Sequence, residues 1–600
     1  MKHFMFNRLH NVIQNSSGYR TYPGLKSSRF SHTIGVMHVA TELFVNAVTN
    51  VETESNGEQQ GVSSMDAKEA FAALQKEAAE ASKHAIDHFG DELPALTREI
   101  SISFAVREPF CVLLAVLRAA SLIHDIGHLP YSHIFENALE ALLHEKIDKV
   151  FAIADSVKEK RRQLSSLLQK FSDASGHPGH QPALHEIVGL VLAKQLAGEL
   201  KVRVALADFK EQKSDAIARM RFCAFVLELA IELLRGDLFP ITASIIKGTI
   251  DADRLDFVKR DGIASGLFQS GIDFDRLFAL YSVRQRTERD DAYWIVPSSR
   301  TISDVEKLLW ERFQDYRYIN AHHKVHLYDE LLENIIIRMM ASGELNDFIG
   351  NLIWLLAEEH SQNISEQQNN AKAVLGLLLE FDDPWLESRI RSIYKTNISD
   401  PEHNRLLTGD EHVKALFEGY IEDREKFVTL FKVDDDFWRL CAETHTLRTL
   451  SPGVVKNSGV NWDCNDILKF RRGLIQRTLE GAKFRLQKRL SEELNCTVLV
   501  GSTRKKIRYG ITSEAEAKEL GVGSLRDFLR TKKYETAPFN CWYTTRRASR
   551  SIEEKNAFEV RLILLIDNFL TAELGSLEEM KSHLISKNGE QTAVKGNVHD

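Results

Sequence analysis

Paired cysteines are missing from this 600-residue chain. Cys111, Cys223, Cys441, Cys464, Cys496 and Cys541 are scattered with no CxxC among them, which excludes a zinc ribbon and a disulfide framework and leaves reduced thiols as the expectation. Long apolar runs are missing too: the longest, Phe110 to Ile123, is interrupted by Arg118 and falls well short of the roughly 20 residues that cross a bilayer. It reads as a buried helix, and no membrane association is expected. The opening "MKHFMFNRLHNVIQN" has no apolar h-region and no small-residue cleavage site, so a cytoplasmic protein is expected. No internal repeat is visible and strand-like text is sparse. Nor is there a net positive charge: the balance of −8 argues against a generic nucleic-acid coat protein.

What the chain does contain is amphipathic helix. Apolar residues recur at three-to-four spacing in "FSHTIGVMHVATELFVNAV", "LHEIVGLVLAKQL", "RMRFCAFVLELAIELL" and "ELLENIIIRMM", the pattern of helices packed in a bundle. With 43% hydrophobic and 27% charged residues, the chain can bury several cores, and the reading is mainly α: one large helical body with appended lobes. The strand candidates are "DAYWIVPSS", a short ribbon near residue 295, and "CTVLVGS" with "KKIRYGITS", a hairpin near residue 500. Val51 to about Ala81 reads as an insertion, beginning as a polar linker and ending as a charged surface helix. Between Ser451 and Lys555, 22 Lys and Arg face 12 Asp and Glu, a basic lobe on an acidic protein. The lobe is either a solvated face or a site for the phosphates of a nucleotide effector or nucleic-acid strand. The tail after Ser576 is expected to fray.

The chemistry concentrates in "ASLIHDIGHLPYSHIFE", residues 120 to 136. A helix continuing through this stretch places His124 and His128 one turn apart with the Asp125 carboxylate beside them. Any one of these histidines alone reads as a satisfied core or surface group. Together, imidazole nitrogen and carboxylate oxygen suit Mn²⁺, Fe²⁺, Mg²⁺ or Zn²⁺. Two other segments offer further ligands: "SSRFSHTIGVMHVA" puts His32 at the start of a helix, and "TIDADRLDFVKRDG" carries Asp253, Phe257 and Asp261 at i, i+4 and i+8 on one helix face, with Asp256 and Arg260 on the next.

"RFSH", "HDIGHLPYSH" and "IDADRLDFVKRD", with "NRLHNVIQNSSGYRTYPGLKSSRFSH" before them and "NAHHKVH" after, resemble the ordered signatures of the HD-domain deoxynucleoside triphosphate triphosphohydrolases, the family of bacterial dGTPases and of the mammalian sterile-alpha-motif and HD-domain enzyme. The resemblance covers roughly residues 4 to 330. It implies an HD-type helical bundle over 1–345; with the composition read above, the expected organisation adds an insertion at about 51–100, a helical extension over 346–450 and a smaller basic α+β lobe over 451–600 with a regulatory role. It makes His32, His124, Asp125 and Asp253 ligands of a divalent metal. His128, His133, His185 and Glu186 become catalytic or phosphate-facing groups, with Glu136 orienting the histidines. Gln14, Arg29, Phe257, Asp261 and Lys324 fall where the family holds sugar or phosphates.

The reaction so implied is metal-dependent hydrolysis of a deoxynucleoside triphosphate to deoxynucleoside and inorganic triphosphate. A nucleotide effector and self-association as a tetramer or hexamer are implied with it, and nucleotide-pool control and antiviral deoxynucleotide depletion would use the same chemistry. Three departures bear on the sugar pocket: Asn15 replaces an apolar residue, Phe257 lacks a tyrosine hydroxyl, and Ile319, Asn320 and Ala321 occupy the region of an expected tyrosine. Two alternatives stay open, an HD-type nuclease or phosphodiesterase acting on single-stranded nucleic acid, and a non-catalytic scaffold that binds nucleic acid or a partner.

Overall fold

A computed structural model describes residues 4–57, 64–174, 183–209, 215–267, 271–286, 289–358, 381–399, 410–422, 426–432, 436–437, 439, 464–502, 520–523, 525, 539–544 and 551–573. The fold is mainly α, with two small sheets among the described residues. Its centre is a long helix, α1 (Arg29–Ser55), whose N-cap Ser28 accepts a hydrogen bond from the Ser31 amide, satisfying one of the first-turn donors that a helix leaves open. α1 packs against α2 (Ser64–Phe89) and against α3 (Phe110–Ile123). The apolar run recognised in the sequence is α3, buried along most of its length. By length and composition α1 is the one helix among the described residues that could cross a bilayer; here it is a core helix, closed over by its neighbours.

The sequence expectation of a charged surface helix is half corrected by α2. Lys68, Glu69, Lys76, Glu80 and Lys83 face outward, yet Ala67, Ala70, Leu74, Ala78, Ala81 and Ala85 form a buried stripe. Alanine at that spacing lets α2 lie close on α1, a role that hydropathy alone understates. Buried Glu77 accepts from the amides of Ile241 and Thr242 at 2.7 and 3.1 Å, tying α2 to the next layer.

Around this core lie α4 (His133–Leu143), α5 (Leu184–Phe209), α6 (Ala252–Ser265), α7 (Ile302–Asp315), α8 (His323–Ser342) and α9 (Asp383–Ser399). α6 is bounded by Asp251, whose side chain accepts from the Arg254 amide, and by Gly266 in the left-handed region at φ 67°, so both ends carry their expected caps. The ribbon expected near residue 295 is present as β1 (Tyr281–Arg286) paired antiparallel with β2 (Arg289–Pro297).

The C-terminal part has its own small core. α10 (Cys464–Leu494) and α11 (Ile552–Glu573) pack with a sheet of order β3 (Phe427–Thr429), β5 (Phe539–Thr544), β4 (Val498–Ser502), all antiparallel. "CTVLVGS" is therefore a strand as read, but its described partner is β5. "KKIRYGITS" and the tail after Ser576 lie outside the described residues. This part is fastened to α8 by polar contacts: from β5, Asn540 Nδ2 lies 2.6 Å from His326 Nδ1, and from α10, Lys483 Nζ donates to Glu330 and Glu333 at 2.8 and 3.0 Å. Gly501 is required at this seam, because a Cβ there would stand 2.8 Å from His326 Nε2.

Candidate active site

The site forms where the ends of α1, α3 and α6 meet. The Ser28 cap sets His32 in the first turn of α1, fully buried. The Asp251 cap sets Asp253 in the first turn of α6. α3 ends at Ile123 and hands over to a turn at His124. This corrects the expectation of a helix running through His128. Gly127 lies so close to α5 that a Cβ would come within 2.0 Å of the His185 carbonyl oxygen, and Pro130 follows. The break sends His124 and His128 into two different clusters that share only Asp125.

In the first cluster, donor atoms of His32, His124 and Asp125 all lie within 4.8 Å of one another. His32 Nε2 stands 3.0 Å from Asp253 Oδ1 and 3.6 Å from Asp125 Oδ2. Each imidazole is oriented from behind: His32 Nδ1 is 2.8 Å from Asp256 Oδ2, and His124 Nδ1 is 2.7 Å from the Ser121 carbonyl oxygen. With Nδ1 the donor in both rings, each Nε2 keeps a lone pair for the interior, and both Nε2 atoms are buried without a hydrogen-bond partner. The 3.0 Å approach to Asp253 lacks hydrogen-bond direction and is better read as two donors aimed at one point.

Electrostatics agrees with that reading. Burial disfavours the His32 imidazolium, yet Asp253, Asp256 and Asp125 outweigh it and lift the His32 pKa to about 10. Burial would raise Asp253, but His32 and His124 hold it at about 2. Burial likewise opposes the charge of Asp125, which Arg29 above all keeps well below the usual carboxylate range. So much negative charge around one buried point calls for a cation. Two imidazole nitrogens and two carboxylates are a donor set that a divalent metal of the Mn, Fe, Mg or Zn kind accepts.

The second cluster gathers on Glu136, in the first turn of α4. Its carboxylate receives His133 Nδ1 at 3.1 Å and His185 Nδ1 at 3.0 Å, and the His128 ring stacks on His185 at 4.2 Å. His128 Nε2 reaches 3.2 Å from Asp125 Oδ1, which joins the two clusters. Burial would raise Glu136, but the hydrogen bonds from His133 and His185 keep it strongly acidic. Burial, then Arg29, pushes His128 well below the ordinary imidazole range, whereas the hydrogen bond to Glu136 raises His185 against its own burial. The two stacked imidazoles are thus pushed in opposite directions, His128 away from and His185 toward the charged form.

Other residues chosen from the sequence stand at various distances from this centre. Arg29 is buried, with Nη1 2.5 Å from Asp125 Oδ2 and Nε 3.3 Å from Ser132 Oγ. Phe257 is half-buried on α6, with the Arg312 guanidinium 5.9 Å from its ring centroid. Asp261 is buried, its Oδ1 is without a partner, and burial pushes its pKa up to about 6 against a hydrogen bond from Asn15. Gln14 is half-buried with an unpartnered Oε1. Lys324 is exposed in the first turn of α8. Glu186 is not brought into the cluster: it is exposed and accepts from the Ala183 amide at 3.0 Å. Successive helix residues point about 100° apart, so His185 and Glu186 cannot serve one point.

Sequence reasoning passed over Asp256, Arg260 and Gly35 as a unit. Arg260 grips Asp256 at 2.9 and 2.8 Å and donates to the Ser31 carbonyl at 3.1 Å. A Cβ at Gly35 would fall 1.9 Å from Asp256 Oδ1, so only glycine admits this brace behind His32. The available signal was a glycine three residues after a candidate ligand and an acid three residues after another, each weak alone.

No family model matches the chain. An uncharacterised Bacillus subtilis protein, YwfO, is 24% identical over 220 residues, 37% of this chain and 36% of its own, so the match spans about a third of that relative. Among solved structures, a phosphohydrolase from Bacteroides thetaiotaomicron is similar at 16% identity and a TM-score of 0.44 over 91% of this chain and 94% of its own. A hypothetical protein from Aquifex aeolicus is similar at 16% identity and a TM-score of 0.35 over 74% and 75%. The buried His32, His124 and Asp125 cluster, with Asp253 beside it, offers a donor set that fits a divalent metal.

Proposed function

We propose that this protein hydrolyses deoxynucleoside triphosphates to deoxynucleoside and inorganic triphosphate in a metal-dependent reaction. The observation that supports it most is the pair of buried imidazole nitrogens, His32 Nε2 and His124 Nε2, left unpartnered toward Asp125 and Asp253. When bound by these four residues, a divalent cation supplies Lewis acidity toward a phosphoryl oxygen. Arg29 holds the Asp125 carboxylate in place and brings positive charge next to the phosphate path. His128, whose charged form burial and Arg29 disfavour, accepts a proton, and His185, whose charged form the Glu136 hydrogen bond favours, delivers one toward the departing nucleoside oxygen. Exposed His133 stands over this pair at the mouth of the site. The α6 face bearing Phe257 and Asp261 leads away from Asp253, with a ring for sugar or base and an acceptor for a sugar hydroxyl.

The same reading gives the basic C-terminal part the role of an effector or assembly region. Lys505, Lys506 and Arg508, outside the described residues, are its test: alanine there changes nucleotide activation or mass in solution and spares metal content. The principal test is chromatography of products after incubating metal-loaded protein with each dNTP and rNTP, singly and mixed, and with single-stranded DNA and RNA. Deoxynucleoside plus triphosphate is expected, absent in Asp125→Ala. Shortened strands with intact nucleotides overturn the reading in favour of a nuclease.

A further inference from the structure

The turn from Asp125 to Ser132 carries Asp125 and His128 and launches α4, yet it is poorly suited to stand alone. Tyr131 and Ser132, neither a glycine, both take a positive φ, 53° and 51°, a backbone conformation that non-glycine residues keep only where surroundings impose it. What imposes it comes from far along the chain. The Tyr131 amide donates to Asp383 Oδ1 at 2.7 Å, and the other oxygen of that carboxylate accepts the Ile13 amide at 2.9 Å. Buried Arg8 donates to the carbonyl oxygens of Ile126 and His128 at 2.8 and 2.7 Å and to that of Phe381 at 3.3 Å. Asp382 takes Asn11 Nδ2 at 2.8 Å, and Tyr131 Oη donates to Glu387 at 3.2 Å. The start of α9 thus grips the metal-bearing turn and the 8–13 segment together.

We propose that Asp383 and Arg8 are positioning residues of the metal centre, fixing the turn that aims Asp125 and His128, so that the chain beyond residue 380 belongs to the catalytic apparatus. Arg8 consumes the two turn carbonyls that bracket Gly127, and Asp383 fixes the strained peptide four residues on. Loosening either lets the Asp125 carboxylate leave the point at which His32 and His124 converge. The inference rests on the metal site proposed above.

The experiment is titration of Mn²⁺ into the full-length metal-free protein by calorimetry, for wild type, Asp383→Ala, Asp383→Asn and Arg8→Lys, with circular dichroism as a check of folding. Asp383→Ala is expected to weaken Mn²⁺ binding by about 10- to 100-fold, the usual range for groups that orient metal ligands. Asp383→Asn, which keeps one acceptor, is expected to fall between it and wild type. In turnover, kcat is expected to drop with KM for the nucleotide little changed, since neither residue contacts the proposed substrate path. Should Asp383→Ala fail to fold, Asp383→Asn and Arg8→Lys carry the test. Folded variants that bind Mn²⁺ as wild type does would overturn the proposal while leaving the metal site standing. A wild-type protein that takes up no Mn²⁺ would remove both.

Discussion

Both histidine clusters combine imidazoles with carboxylates, each places its donor atoms within 4.8 Å of one another, and they meet through Asp125. They differ in where the Nδ1 atoms point. In the cluster of His32 and His124, Nδ1 turns outward to Asp256 and to the Ser121 carbonyl, and Nε2 is left facing the carboxylates. In the cluster of His133 and His185, Nδ1 turns inward to Glu136, so an internal carboxylate already uses the convergent nitrogens. The first arrangement offers lone pairs to a cation, and the second suits the proton transfer proposed for it above. Residue composition does not separate a metal site from a proton-transfer site; the hydrogen bond on the far nitrogen does.

Breaking the first cluster is expected to have the largest effect. Asp125→Ala removes the carboxylate common to both, and because Lewis-acid stabilisation amounts to several kcal/mol, turnover is expected to fall by on the order of 10³-fold or more. Metal analysis of the same folded variant should show the ion lost, and undiminished turnover would sink the metal assignment. Glu136→Gln addresses the second cluster: turnover is expected to drop about 10²-fold with bound metal retained. Loss of metal from Glu136→Gln would erase the distinction between the clusters.

Asp256→Asn sharpens the contrast within the first cluster. It keeps the size of the side chain while weakening the grip on His32 Nδ1, and a 10- to 100-fold loss of metal affinity is expected by calorimetry. An unchanged affinity would leave Asp256 as no more than a packing residue.

The smallest effect concerns stability. Burial pushes the Asp383 carboxyl up to about 7 against the hydrogen bonds from Tyr131 and Ile13. The folded state then binds the proton more tightly than the unfolded chain, whose Asp titrates near 3.9. This contribution is full at low pH and is lost as pH rises through about 7. Thermal unfolding of the metal-free protein should shift down between pH 5 and pH 8, and Asp383→Asn should flatten that part of the profile. A slope identical in the two proteins would assign the titration elsewhere.

Much of this site was legible because its parts are local. "HDIGHLPYSH" reads as a ligand cluster from residue type and spacing, and Asp253, Phe257 and Asp261 fall on one face because a helix repeats every 3.6 residues. The short ribbon near residue 295 followed from alternation. What misread was the continuation of α3, because the obstacle at Gly127 is the carbonyl of His185, from a helix some 60 residues later that no local window contains. The surface reading of α2 failed for a similar reason: an alanine stripe looks neutral until the helix it lies against is known. Glu186 came from the resemblance together with His185, but adjacent helix residues point about 100° apart, and the structure leaves it exposed.

By itself, the sequence determined the helical class and the nitrogen and oxygen donors of the centre, since periodicity and side-chain chemistry belong to short stretches of chain. Only the tertiary structure decided which histidines face a metal and which face Glu136, because that depends on hydrogen bonds from Asp256, on the Asp125–Ser132 turn and on the room left at Gly35. It also decided that Arg8 and Asp383, 375 residues apart in number, brace one turn. Such bonds satisfy buried polar groups across the fold, and their partners are set by which elements the core brings together.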